Sequence, residues 1–221
     1  MNIAPGIYAL TGFLLAATFA VTGGWTLQEF CWSTWLAGLM YAAFCVISGA
    51  LHTIVASGSL KSAVEKHIPW LSKVSPAVFL LVTAVLILAI TPVILYIYAF
   101  LFSIYGALLS FFAEMEPHEY FGRNGFINSD FYTPVGYLLA AFWPMALGTL
   151  IANWRDFVHV SPWKRMFVPA HSEMIRIHIM VLVMPFIAML AWALFGDSYH
   201  SVAIVLLMGV FYLLSGKKAP E

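Results

Sequence analysis

Charge is scarce in this chain. Only 9% of its 221 residues are Asp, Glu, Lys or Arg, ten of each sign, so the net charge is zero. A soluble domain carries about 25% charged residues, and this chain cannot cover a water-facing surface with so few. A soluble globular protein is therefore excluded. Without a basic excess, nucleic acid is excluded as a partner, and a mean hydropathy of +0.92 excludes disorder. Cysteine is scarcer still: Cys31 and Cys45 are the only two. They fall in one predicted helix, roughly 21 Å apart along its axis at ~1.5 Å per residue, beyond disulfide reach. Both read as small buried residues. No GxSxG, HExxH, Walker A, GxGxxG or CxxC pattern is present. No carboxylate stands at the centre of an apolar stretch, which argues against an ion-coupled pump or carrier.

What is abundant is apolar length. Stretches of about 20 apolar residues read as transmembrane helices. They run over about 3–23, 31–55, 75–114, 133–154, 172–195 and 198–215. The first lacks the basic n-region of a signal peptide and reads as a span. The third, 75–114, would be roughly 60 Å long as one helix, twice the thickness of a bilayer core. No polar turn divides it near Thr91-Pro92, and no repeat relates the two halves of the chain.

Charge decides the count. The connections 56–74 and 155–171 and the C-terminal tail are basic. The 113–132 loop holds Glu114, Glu116, Glu119 and Asp130 against Arg123. With six spans, every Lys and Arg except Arg123 falls on one side, which the positive-inside rule makes cytoplasmic. A seventh span would scramble that order. The expected fold is an all-α integral membrane bundle of six transmembrane helices in one domain over residues 1–221. Both termini are cytoplasmic, and the compartment is the inner (plasma) membrane. The third helix is long and kinked near Pro92, its first half tilted or partly interfacial. Trp25 and Trp32 are expected at the outer boundary, and Trp70, Trp154 and Trp163 at the inner one. The 157–169 segment reads as interfacial, mixing Phe157, Trp163 and Phe167 with Lys164 and Arg165. Pro144 and Pro185 lie inside spans and are expected to shape packing.

Two features suggest contacts. Gly38, Ala42, Cys45 and Gly49 line one face of the second span, and small residues let membrane helices approach closely. Val46 falls off that stripe. His52 continues it and is expected to face protein. His52, Asn153 and His178 are expected at one depth on three helices, with Thr149 and His171 one or two turns away. This is the candidate intramembrane polar site. Its plain reading is hydrogen-bonded glue between helices, worth about 0.6 kcal/mol per bond. The functional readings are a proton relay, a bound ion or a head-group pocket. Haem on His52 and His178 lacks any attachment motif, so the cofactor is left unknown. Outside the span cores, Glu114, Glu116, His118 and Glu119 make a candidate divalent-metal site, carboxylates with imidazole. Its plain reading is helix capping, Glu116 before Pro117 and Gly122 after.

The runs Ile97-Tyr98-Ala99 and Ile104-Tyr105-Gly106, the segment from Gly148 to Asn153, and Ile177-His178-Ile179 resemble an uncharacterised bacterial family of multi-pass membrane proteins, a domain of unknown function. The resemblance covers most of the chain in order. It implies a fold and a compartment but no reaction. The family has histidines where this chain has Ile97, Tyr105 and Leu147, and only His178 matches. An activity carried by those histidines is not expected here.

The expected function is that of a non-catalytic accessory or structural subunit. Its partners would be the lipid bilayer and another membrane protein or a second copy of itself. Short connections and 18 Phe, 10 Tyr and 8 Trp suit large apolar contacts. One alternative is a membrane enzyme or metal- or cofactor-binding protein using the His52–Asn153–His178 cluster. Another is a small channel or carrier.

Overall fold

The computed structural model describes residues 5–110, 132–196 and 199–209. Among these residues the chain is helical, with no strand. The helices are α1 (Pro5–Thr22), α2 (Leu27–Val55), α3 (Ser57–Glu65), α4 (Pro76–Ser110), α5 (Tyr132–Ala152), α6 (Trp154–His159), α7 (Pro162–Arg165), α8 (Val168–Phe195) and α9 (Tyr199–Gly209), with a 3-10 turn over Pro69–Lys73. Each of the six apolar stretches is helical where it is described. Among the described residues, three helices are long and apolar enough to cross a membrane: α2, α4, and α5 over Val135–Ala152.

The fold is organised around α2, which packs against α4, α5, α7 and α8. Its start is fixed by a capping box. Thr26 Oγ1 accepts from the Glu29 N–H at 3.2 Å, and Glu29 Oε2 accepts from the Thr26 N–H at 2.6 Å. His200 Nδ1, at the start of α9, accepts from the Leu27 N–H at 3.3 Å. Along its length α2 buries Trp32, Trp35, Leu36, Tyr41 and Val46 together with the small residues Gly38, Ala42, Cys45 and Gly49. Its buried hydroxyls are satisfied locally: Ser33 and Thr34 donate to the Phe30 carbonyl, and Thr53 donates to that of Gly49.

Val46 corrects one expectation. It is as buried as the stripe it was expected to lie beside. The reason is that neighbours surround α2 on several sides rather than meeting it along one seam. Phe44 and Ile47 are the large residues it leaves exposed in this stretch.

Small residues set the closest approaches. On α1, Gly12, Ala16 and Ala20 are buried at four-residue spacing. A Cβ on Gly12 would collide with the Gly148 carbonyl oxygen of α5 and sit 2.9 Å from the Ala152 Cβ. Edge-to-face pairs of Phe19 with Trp143 and Trp25 with Phe142 continue the α1–α5 contact. The backbone departs from helix at Phe142 (φ −124°, ψ 23°), in the turn ahead of Pro144, where an interior proline removes a helix hydrogen bond and its ring crowds the preceding turn. By contrast, α4 is helical throughout, Pro92 included.

The two halves of α4 differ. Ile94, Tyr98, Phe102, Ser103, Gly106, Ala107 and Leu109 are buried in its second half, while Thr83 is the one residue buried in its first. Val78, Leu81, Val85, Leu86 and Leu88 are all exposed there. The second half is tied to α2 by the Trp35 indole, which donates to the Phe102 carbonyl at 2.7 Å. Trp35 is fully buried. Trp35→Phe removes a buried donor and part of a ring, and is expected to cost about 1–3 kcal/mol. Thermal unfolding in detergent, with the exposed Trp70→Phe as comparison, measures it. Equal melting temperatures for the two variants would refute the tie.

Candidate functional site

A polar buried arrangement forms where the chain between α5 and α8 folds onto the C-terminal half of α2. Asn153 makes the first turn. Its side-chain amide donates to the Thr149 carbonyl at 2.9 Å, and its backbone N–H donates to the same oxygen at 3.1 Å. This satisfies an end-of-helix carbonyl of α5, and α6 starts at the next residue. Pro162 opens α7, where proline's missing N–H costs nothing. Met166 then packs on α2. Glycine is required beneath this segment: a Cβ on Gly49 would lie 2.6 Å from the Pro162 carbonyl oxygen and 2.7 Å from the Met166 Cγ. From the other side, the buried Tyr98 hydroxyl of α4 donates to the Met166 carbonyl at 3.0 Å.

Arg165 is at the centre, only 3% exposed. Its Nε donates to the Asp156 carbonyl at 3.1 Å and its Nη2 to the Val160 carbonyl at 3.2 Å. Its Nη1 lies 3.3 Å from His52 Nδ1. Guanidinium has donors and no acceptor, so His52 Nδ1 is the acceptor in this contact. The guanidinium carbon also lies 5.8 Å from the centre of the Phe157 ring. Phe157 meets the Tyr41 ring edge-to-face at 6.0 Å, and the Tyr41 hydroxyl donates to Asp156 Oδ2. Among the described residues the one ion pair is Lys61–Glu65, so the Arg165 charge is held by carbonyls and an imidazole. It also sits beside the last turn of α2, where the helix dipole is negative. The arrangement is suited to holding a segment in place. The Tyr41 proton is already committed to a carboxylate.

The expected polar site is distributed differently. His52 is exposed on α2 and meets Arg165. Asn153 bonds back to its own helix, and Thr149 is fully buried. His178 is exposed on α8, its ring edge-to-face with Tyr105 at 6.2 Å. The neighbouring Ile177 packs over Gly38. Gly38 lies 14 residues before His52, which is roughly 21 Å along α2. The structure thus brings His52 to Arg165 and leaves His178 at a different level of α2. The side chain of His171 lies outside the described residues, as do Glu114, Glu116, His118 and Glu119. Among the described residues no three His, Cys, Asp or Glu side chains stand together as metal ligands.

Sequence reasoning missed Tyr41, Asp156 and the burial of Arg165. It read Lys164 and Arg165 alike as interfacial, whereas Lys164 is exposed and Arg165 buried. Helical spacing on α7 carried no signal because the helix has four residues. Trp25 and Trp32 are buried, packed on Phe142 and Trp35. Trp70, Trp154 and Trp163 are exposed.

Comparisons with protein-family models, with curated proteins and with solved structures gave no match. The resemblance carried by Tyr98, Tyr105, the Gly148–Asn153 segment and His178 therefore implies nothing further about function.

Proposed function

We propose that this chain is a six-span integral protein of the inner (plasma) membrane with both termini cytoplasmic. It serves as a non-catalytic accessory or structural subunit that packs against another membrane protein or a second copy of itself. The observation that carries this reading is the division of α4: its second half packs into the bundle, while its first half exposes Val78, Leu81, Val85, Leu86 and Leu88. Such a surface needs an apolar environment, since each side chain buried contributes about 1.5–3 kcal/mol over exposure to water. Lipid supplies that environment for single helices, and a neighbouring membrane helix supplies it with specificity. The one-sided distribution of Lys and Arg supports the six-span order.

Purification from native membranes in mild detergent, followed by native mass spectrometry, tests the role. A stoichiometric second polypeptide or a defined homo-oligomer is expected. A monomer carrying bound metal or visible absorbance would instead make it a cofactor protein. Topology is tested by single cysteines in a background lacking Cys31 and Cys45. Those at Asn124 and Asp197 are expected to react with a membrane-impermeant maleimide from outside the cell. Those at Lys66, Lys164 and Lys217 are expected to be protected. Labelling at Lys164 without labelling at Asn124 reverses the orientation, and protection at both Asn124 and Lys66 favours seven spans.

A further inference from the structure

We propose that the outer side of the 154–167 segment is a docking surface for anionic phospholipid, with Arg155 and Lys164 on the headgroup phosphates. The segment divides its charge between two sides. Asp156 is its one acid, and that carboxylate turns inward to the hydroxyl of the fully buried Tyr41. Arg165 turns inward as well, to the Asp156 and Val160 carbonyls and to His52. Arg155 and Lys164 are left, and among the described residues neither pairs with a carboxylate. The outer side is therefore cationic, with no acid of its own to answer it.

Large apolar side chains share that side. Trp154, Val158, Trp163 and Phe167 are each about half exposed, and Lys164 Nζ lies 5.8 Å from the centre of the Trp163 ring. A phospholipid boundary satisfies both kinds of group at once: rings enter the edge of the acyl region while cations reach the phosphates. An ion in solution would answer the cations alone. The level is suitable too. The segment seats on Gly49 and His52, in the last two turns of α2, a helix long enough to cross a membrane. At the other end of α2, the 23–29 turn carries Glu29 and no Lys or Arg. This surface meets phospholipid only in a chain that spans the bilayer, as proposed above. Charge selects the lipid. A zwitterionic headgroup brings its own ammonium beside each phosphate, whereas an anionic one leaves the phosphate free to neutralise Arg155 and Lys164. Each such cation favours an anionic surface by about fivefold.

Photolabelling of the full chain in phosphatidylcholine nanodiscs tests the surface where it lies. The nanodiscs carry a trace of photoactivatable phosphatidylglycerol, or of phosphatidylcholine bearing the same label, and peptide mapping reads the 154–167 segment. In wild type the glycerol lipid is expected to label it more than about tenfold over the choline lipid, the combined preference of two cations. Lys164→Gln is expected to lower that ratio about fivefold, and Arg155→Gln with Lys164→Gln to bring it close to one. Lys164→Arg is expected to keep it. Equal labelling by the two lipids in wild type, or a preference that survives the double substitution, overturns the proposal. Labelling by neither lipid also overturns it, and would assign the segment to a protein partner. Alkaline carbonate extraction of native membranes separates these failures from that of the six-span assignment. A chain that stays in the pellet without the lipid preference loses this proposal alone, and a chain that is released loses both.

Discussion

Gly49→Leu is expected to be among the most damaging single substitutions in the bundle, costing about 3 kcal/mol, the upper end of the usual range for overpacking. The reason lies in what the new side chain meets. Its Cβ alone would stand 2.6 Å from the Pro162 carbonyl oxygen and 2.7 Å from the Met166 Cγ. Met166 can shift, but the Pro162 carbonyl belongs to backbone at the start of α7, which Arg165 and Tyr98 fasten on either side. To admit leucine, the segment must rise from α2 and give up those bonds. Ile47→Leu is the fitting comparison, since Ile47 is on α2 but exposed. Unfolding temperature in one detergent should drop clearly for Gly49→Leu and hardly at all for Ile47→Leu. Equal tolerance at both positions would mean that the α7 segment does not seat on Gly49. Val46 is unsuitable as a control because it is itself fully buried.

The parts of this molecule legible in its sequence are those with long periodic signals. Apolar length marks α1, α2, α4, α5, α8 and α9, and the spacing of Gly38, Ala42, Cys45 and Gly49 picks out residues that are all buried. The same reasoning was available on α1, where Gly12, Ala16 and Ala20 recur every four residues and meet α5. Depth was not legible. The expected level of His178 assumed that residues equally far into adjacent spans lie side by side. In the structure Ile177 reaches Gly38 instead. Helix offset depends on how the connecting segment folds, and 154–167 tucks onto α2 instead of lying flat. That tuck turns on Asp156, Val160 and Arg165, residues whose spacing has no period because α6 and α7 have only six and four residues. The Arg165–His52 contact is long-range, and nothing local to either residue announces it.

Arg165→Met is expected to cost about 3 kcal/mol, because two backbone carbonyls and an imidazole lose a charged donor, and each hydrogen bond to a charged group contributes about 1.5–3 kcal/mol. The methionine fills part of the volume with a flexible apolar chain but donates nothing. The carbonyls of Asp156 and Val160 and the Nδ1 of His52 each lose the donor they now share. Phe157 loses the cation 5.8 Å from its ring centre. Arg165→Lys is the sharper variant. It keeps the charge yet replaces a planar fork, which reaches three acceptors at once, by a single ammonium. If charge beside the end of α2 were the main contribution, lysine would restore most of the stability, since a helix dipole answers to charge alone. Because the fork's geometry joins α2 to both α6 and α7, lysine is expected to recover less than half of the loss. Unfolding of wild type, Arg165→Lys and Arg165→Met in one detergent, with His52→Leu, which has no acceptor, added to each, separates the two contributions. The His52 substitution should alter wild type and leave Arg165→Met unchanged, because the contact it tests is already gone there. An equal effect of His52→Leu in both backgrounds would show that His52 and Arg165 do not act as a pair.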